Sequence, residues 1–131
     1  MPQISENFEL REFDSPDGEP IPSDLRANVE RLVRQLEVLR AELGAPIRVI
    51  SGYRSPAYNK RINGAPRSQH MSACAADIKV KGYEPREVHR TIERLIAEGK
   101  MDDGGLGLYE TFVHYDVRGR RARWYGRGVT P

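Results

Sequence analysis

A single cysteine, Cys74, stands among 131 residues, so no internal disulfide holds the chain and its fold does not depend on an oxidising compartment. No apolar run approaches the ~20 residues that a membrane span needs. The opening stretch, Met1 to Phe13, lacks the basic-then-apolar pattern of a secretory signal, and the expectation is a protein made in the cytoplasm without a signal peptide. Neither sign of charge dominates: 21 basic residues face 19 acidic ones, for a net charge of +2. The one local excess lies at Arg118, Arg120, Arg121, Arg123 and Arg127. It reads as a solvated basic face or as attraction to an anionic polymer such as a cell wall, and nucleic acid is not an expected partner. Aromatic residues are sparse at 8%, and there are only three histidines, His70, His89 and His114.

What remains is an ordinary globular composition, 38% hydrophobic and 31% charged, long enough for one modest core. A single domain over residues 1–131 and a monomer are expected. Leu25, Val29, Leu32, Leu36, Leu39 and Leu43 recur at steps of three and four, which predicts an amphipathic helix with Ser23 as its N-cap and Gly44-Ala45-Pro46 as its stop. Ile47 to Ile50 and Ala75 to Val80 read as short strands, with a short helix over Pro56–Ile62 between them. Glu84-Pro85 opens a second longer helix, with Val88, Ile92, Leu95 and Ile96 on its inner face, that ends at Gly99. Three further short strands follow at Leu106–Tyr109, Phe112–Val117 and Arg121–Tyr125. Helices and strands in this order, with three strands at the end, imply an α+β fold with a mainly antiparallel sheet and two longer helices.

The chemistry concentrates between Ser51 and Asp77. That stretch leaves an apolar strand, carries Arg54 and a turn rich in Gly, Pro and Asn, passes His70, and ends on Asp77 within a second apolar run. His114 lies in a late strand. His70, Asp77 and His114 offer two nitrogens and one oxygen, the donor set of a zinc site with its fourth position left to water. Spacing alone does not decide this, because lone histidines are commonly structural.

The surrounding residues carry more. Ser51-Gly52-Tyr53-Arg54-Ser55, Ser68-Gln69-His70, Ala75-Ala76-Asp77-Ile78 and Phe112-Val113-His114, in that order, resemble the LAS family of zinc peptidases, whose pattern is S-x-H-x6-D followed by a later histidine. The likeness runs from about Asn7 to Tyr125 and points to the small single-domain branch. It implies a hedgehog/DD-peptidase-like zinc fold and a zinc-dependent peptidase acting on peptidoglycan stem peptides, as a D-alanyl-D-alanine carboxypeptidase or an endolysin-like endopeptidase. By motif, His70, Asp77 and His114 become ligands of Zn2+, with a zinc-activated water as nucleophile. Arg54 becomes the guanidinium beside the scissile carbonyl, and Ser68 a hydrogen-bonding partner of substrate. A phage or prophage lysin acting on the cell wall fits the missing signal. The alternative is a non-catalytic, zinc-stabilised module of the same fold that binds wall peptide.

Two positions depart from the pattern. The glycine expected three residues after the first histidine is Ala73, and the acidic residue expected three before the last is Thr111, which cannot take a proton. Two nearby carboxylates are the substitutes. Asp116 lies two residues after His114, about 6.6 Å along a strand and on the same face, and Glu110 lies four before, about 13 Å away in an unbroken strand. Asp116 is the first choice as general base and Glu110 the second, with a role for Asp116 in orienting a ligand histidine weighed about equally. Cys74 reads as a buried, inert thiol, His89 as structural or exposed, and Trp124 and Tyr125 as packing for the sheet, with a platform for substrate peptide as the lesser alternative.

Overall fold

The computed structural model describes residues 3–130. Three helices, α1 (Arg26–Leu43), α2 (Pro56–Arg61) and α3 (Pro85–Ala97), join five strands: β1 (Ile47–Ser51), β2 (Ala75–Val80), β3 (Gly105–Leu108), β4 (Val113–Asp116) and β5 (Ala122–Tyr125). Short 3-10 turns cover Leu10–Phe13, Ser23–Leu25 and Gln69–Ser72. The fold is α+β, as the order of elements implies, and two of the helices are long.

Helix α1 forms where the leucine stripe predicts it. Val29, Leu32, Leu36 and Leu39 are buried, while Leu25 and Leu43 at its ends are partly covered. Burying each such side chain contributes about 1.5–3 kcal/mol. The start differs from expectation. Ser23 does not cap α1; Leu25 N–H donates to the Pro22 carbonyl at 2.9 Å, and a 3-10 turn precedes the helix. The stop is the glycine: Gly44 takes a left-handed φ of 62° and donates to the Arg40 carbonyl. Helix α3 starts on a reciprocal capping box between Glu84 and Glu87, with Pro85 in its first turn. It buries Val88, Ile92 and Leu95 against α1 and the sheet.

The strands form one sheet in the order β1-β2-β4-β3-β5. Every neighbouring pair is antiparallel except β3 and β5, which run parallel. Strands β3 and β4 are buried along their whole length, and β2 along all but Lys79. Val113, Tyr115, Ile78 and Leu106 join the hydrophobic cluster with α1 and α3. Because side chains alternate across a strand, the residues between them, Asp77, His114 and Gly107, are turned to the opposite face. That face carries the chemistry.

Candidate metal centre

Register builds the site. Asp77 on β2 pairs with His114 on β4, His114 pairs with Gly107 on β3, and Gly107 pairs with Trp124 on β5. Ser51, after a bulge in β1, pairs with Asp77 on the other side. One transverse row thus crosses all five strands as Ser51, Asp77, His114, Gly107 and Trp124. Gly107 must be glycine for a local reason: a Cβ there would lie 2.3 Å from Nε1 of Trp124. The vacant place lets the indole lean over β3 to meet the His114 ring, with centroids 5.0 Å apart.

His70 reaches the row from outside the sheet. Ser68 opens its 3-10 turn, accepting from His70 N–H at 3.2 Å. Ala73 closes it at φ 57°, ψ 27°, the left-handed region that the resemblance reserves for glycine. An L-residue there costs about 1–2 kcal/mol, and the turn is held by Ala73 N–H donating to the His70 carbonyl at 3.1 Å. A second contact seats the ring: His70 Nδ1 lies 2.6 Å from the Gly52 carbonyl oxygen. Gly52 can present that carbonyl because it packs directly on Phe13, where a Cβ would come within 2.7 Å of the Phe13 Cα.

His70, Asp77 and His114 bring one ligand atom each to within 4.8 Å of one another, and all three are buried. Asp77 Oδ1 lies 3.3 Å from His70 Nε2 and 3.0 Å from His114 Nδ1. The outer ring nitrogens decide the tautomers. A carbonyl can only accept, so His70 Nδ1 carries the proton toward Gly52 and leaves Nε2 as a lone pair. His114 meets a carboxylate at both ring nitrogens, Asp116 Oδ2 at 2.7 Å from Nε2 and Asp77 Oδ1 at 3.0 Å from Nδ1; the shorter contact favours the tautomer with its proton outward, which leaves Nδ1 toward Asp77. Two nitrogen lone pairs and a carboxylate oxygen therefore converge, an arrangement that repels itself unless a cation lies between them. Two imidazoles and a carboxylate, each imidazole backed by an acceptor on its far side, suit a divalent transition metal. Burial works to raise the Asp77 carboxyl, but the imidazoles of His114 and His70, whenever either carries a proton toward it, outweigh that and hold the group well below the usual carboxylate range. Asp77 is ready to ligate as an anion.

Around this cluster lies an open cleft of about 500 Å³. Arg54 and Ser68 line it. The Arg54 guanidinium is fixed from three sides, by Ser51 Oγ at 3.3 Å, Asn59 Oδ1 at 3.4 Å and Asp77 Oδ2 at 3.5 Å. Neither carboxylate expected as a general base lines the cleft. Asp116 is fully buried on the far edge of His114. Its Oδ1 accepts from the backbone N–H groups of Gly105 and Arg118 and from Arg118 Nε, while Oδ2 accepts from Arg118 Nη2 and faces His114. Every direction is occupied, which is the geometry of a group that orients a histidine rather than one that collects a proton from the cleft. Glu110 lines a neighbouring cleft with Gly128, on the other side of Tyr109. Thr111 lines neither.

Cys74 lies in the core with its thiol pushed up to about 11, chiefly by burial, and donates to Gln69 Oε1. His89 stands apart, half-buried near Tyr125. The basic excess near the C-terminus is largely neutralised within the fold, since Arg118 pairs with Asp116 while Arg121 and Arg123 pair with Glu93 and Asp103.

Sequence reading missed Arg118, Tyr109 and Phe112 and gave Trp124 a place beside substrate only as the lesser alternative. Arg118 holds Asp116 and lies over the Trp124 ring at 5.2 Å. Trp124 lines the cleft rather than only packing the sheet, and donates from Nε1 to Tyr109 Oη at 2.8 Å. Tyr109 stacks on Phe112 at 4.4 Å, and both line the cleft. Only the H-x-D spacing at His114 and Asp116 signalled any of this. A family profile described as Peptidase M15 matches residues 11–116 of the chain. No curated protein matches it.

Proposed function

The chain belongs to the Peptidase M15 family, a family of metallopeptidases, and from that premise we propose that it is a zinc-dependent peptidase cutting a peptide bond in peptidoglycan stem peptides. One observation carries the reading: two histidines, locked by outer acceptors, turn their lone pairs with a carboxylate oxygen toward one point beside an open cleft. His70 Nε2, Asp77 and His114 Nδ1 would hold the ion and leave a fourth position free. Zinc supplies Lewis acidity there, polarising a carbonyl and acidifying water.

The protein's own groups do the rest. Arg54, fixed by Asp77, Asn59 and Ser51, places a permanent cation where negative charge develops on the carbonyl oxygen, and a donor fixed in advance needs no reorganisation. Asp116 keeps the His114 proton on Nε2 and its ring in one orientation. Ser68 and the aromatic wall of Tyr109, Phe112 and Trp124 position the peptide. Tyr109 Oη accepts from Trp124, and no described residue takes its own proton. Its hydroxyl is thereby left able to donate to a bound peptide. Such an enzyme works as a monomer at the bacterial wall, as a phage or prophage lysin, or on recycled wall peptides.

Purified protein is expected to carry one zinc per chain by elemental analysis and to release new amino termini from peptidoglycan. His70→Ala should abolish both. Full hydrolysis after chelation and in the variant would overturn the proposal. The absence of a carboxylate other than Asp77 on the cleft wall favours one second reading, a zinc-stabilised module that binds wall peptide without cutting it. Binding with no turnover in the unmodified protein, checked by mass spectrometry of muropeptides, would select it.

A further inference from the structure

The walls of the cleft differ in what they offer a ligand. Three guanidinium groups line it, those of Arg54, Arg67 and Arg118, against one acid, Asp77. Two of the three are engaged: Arg54 by Asp77, Asn59 and Ser51, and Arg118 by Asp116. Arg67 is exposed, and no described residue accepts a hydrogen bond or ion pair from it. Its two successors point the same way chemically. Ser68 Oγ already accepts from His70 N–H, so its hydroxyl proton is what it has left to give. Gln69 Oε1 already accepts from the Cys74 thiol, so the Gln69 amide is left as a donor.

We propose that residues 67–69 form a carboxylate-binding strip beside the cation cluster, with Arg67 as its specificity-determining residue. The proposal rests on the reading that the cleft takes a peptide, and adds that the peptide must carry a carboxylate close to the bond presented to the cluster. Three consecutive residues each offer a donor to the cleft, led by a guanidinium that no described residue engages. A carboxylate matches that: its two oxygens accept the guanidinium fork side by side, with lone pairs left for a hydroxyl or an amide. The uncompensated charge of Arg67 at the rim also draws anions toward the cleft.

The carboxylate could be the C-terminal one or a side-chain one, and titration separates them. The protein and its Arg67→Ala and Arg67→Lys variants are titrated by NMR with two matched pairs. The first is N-acetyl-D-alanyl-D-alanine against its C-terminal amide. The second is N-acetyl-L-alanyl-D-glutamate amide against its D-glutamine counterpart. One pair should show the acid binding roughly tenfold more tightly than the amide, the lower end of a charge-assisted interaction because Arg67 is exposed. Arg67→Ala should shrink that ratio below threefold, and Arg67→Lys, which keeps the charge without the fork, should fall between. A response in the first pair assigns the strip to a chain terminus, and in the second to a side chain. Equal binding within both pairs, or a preference that survives Arg67→Ala, overturns the proposal. Binding is read without turnover, so the two readings fail separately. A protein that prefers the acid yet cuts neither peptide keeps the strip and loses the hydrolase, and one that cuts without preference does the reverse.

Discussion

Replacing Asp116 by asparagine keeps the shape of the side chain and inverts one of its hydrogen bonds. In the native protein Asp116 Oδ2 accepts from His114 Nε2 at 2.7 Å and from Arg118 Nη2 at 2.8 Å, while Oδ1 accepts from Gly105 N–H at 2.9 Å. Gly105 lies hard against the carboxylate, since a Cβ there would come within 2.2 Å of Oδ2. Asparagine can keep an oxygen toward Gly105 and Arg118 Nε, but its amide then faces both Arg118 Nη2 and His114. Two donors cannot meet, so His114 must give up the Nε2 proton and carry it on Nδ1, the nitrogen that faces Asp77. A protonated Nδ1 cannot ligate. Losing an outer acceptor of this kind typically lowers metal affinity 10- to 100-fold, about 1.4–2.7 kcal/mol. Loss of the charged bonds to Arg118 should cost folding stability of the order of 1.5–3 kcal/mol besides. Competition against a chromophoric chelator at neutral pH measures the first, urea denaturation of the metal-free protein the second, and imidazole nitrogen shifts report the tautomer. An Asp116→Asn protein that binds zinc within threefold of the parent, with the His114 tautomer unchanged, would refute the orienting role and reopen the case for Asp116 as a base.

Gly107→Ala should push the indole of Trp124 off His114, at a cost typical of overpacking, about 1–3 kcal/mol. Trp124 is the sole tryptophan, so a shifted emission maximum reports the movement directly, and unchanged emission with unchanged stability would show that the space is not tight. The ion-pair cluster of Arg123 with Glu93 and Asp103 gives a pH signature. Hydrogen bonding from Arg123 holds Glu93 below its ordinary range; at Asp103 burial acts to raise the carboxyl, but hydrogen bonds from Arg123, Arg121 and Gly104 N–H together outweigh it. Groups whose folded pKa is lowered stabilise the fold above their ordinary values of 4.5 and 3.8, and that contribution is lost as pH falls through the lower folded values. Urea midpoints should therefore fall off below about pH 4.5 less steeply in Glu93→Gln than in the parent. Parallel pH profiles for the two proteins would remove the cluster from the account.

Much of the fold can be read locally. The α1 leucines, Gly44 and the Glu84-Pro85 start of α3 act within a few residues of one another, and periodicity and helix-end chemistry report such short-range physics directly. The set His70, Asp77 and His114 was legible too, because only a few residue types can ligate a metal and the motifs around them stand in order.

What the local pattern could not carry is register. Whether Asp77 meets His114 or its neighbour depends on pairing strands 37 residues apart, and a slip of one residue would turn the row to the other face. The parallel pairing of β5 with β3 brings Trp124 beside Gly107, and neither residue announces the other in sequence. The role of Asp116 turns on the same point. Its spacing from His114 placed it on the same face, but only the packing of Gly105 and Arg118 around it shows its lone pairs filled. The order of its motifs determined which side chains could gather at one site; the long-range pairing of the sheet decided which of their atoms face the cleft, because that pairing sets where each donor and acceptor is satisfied.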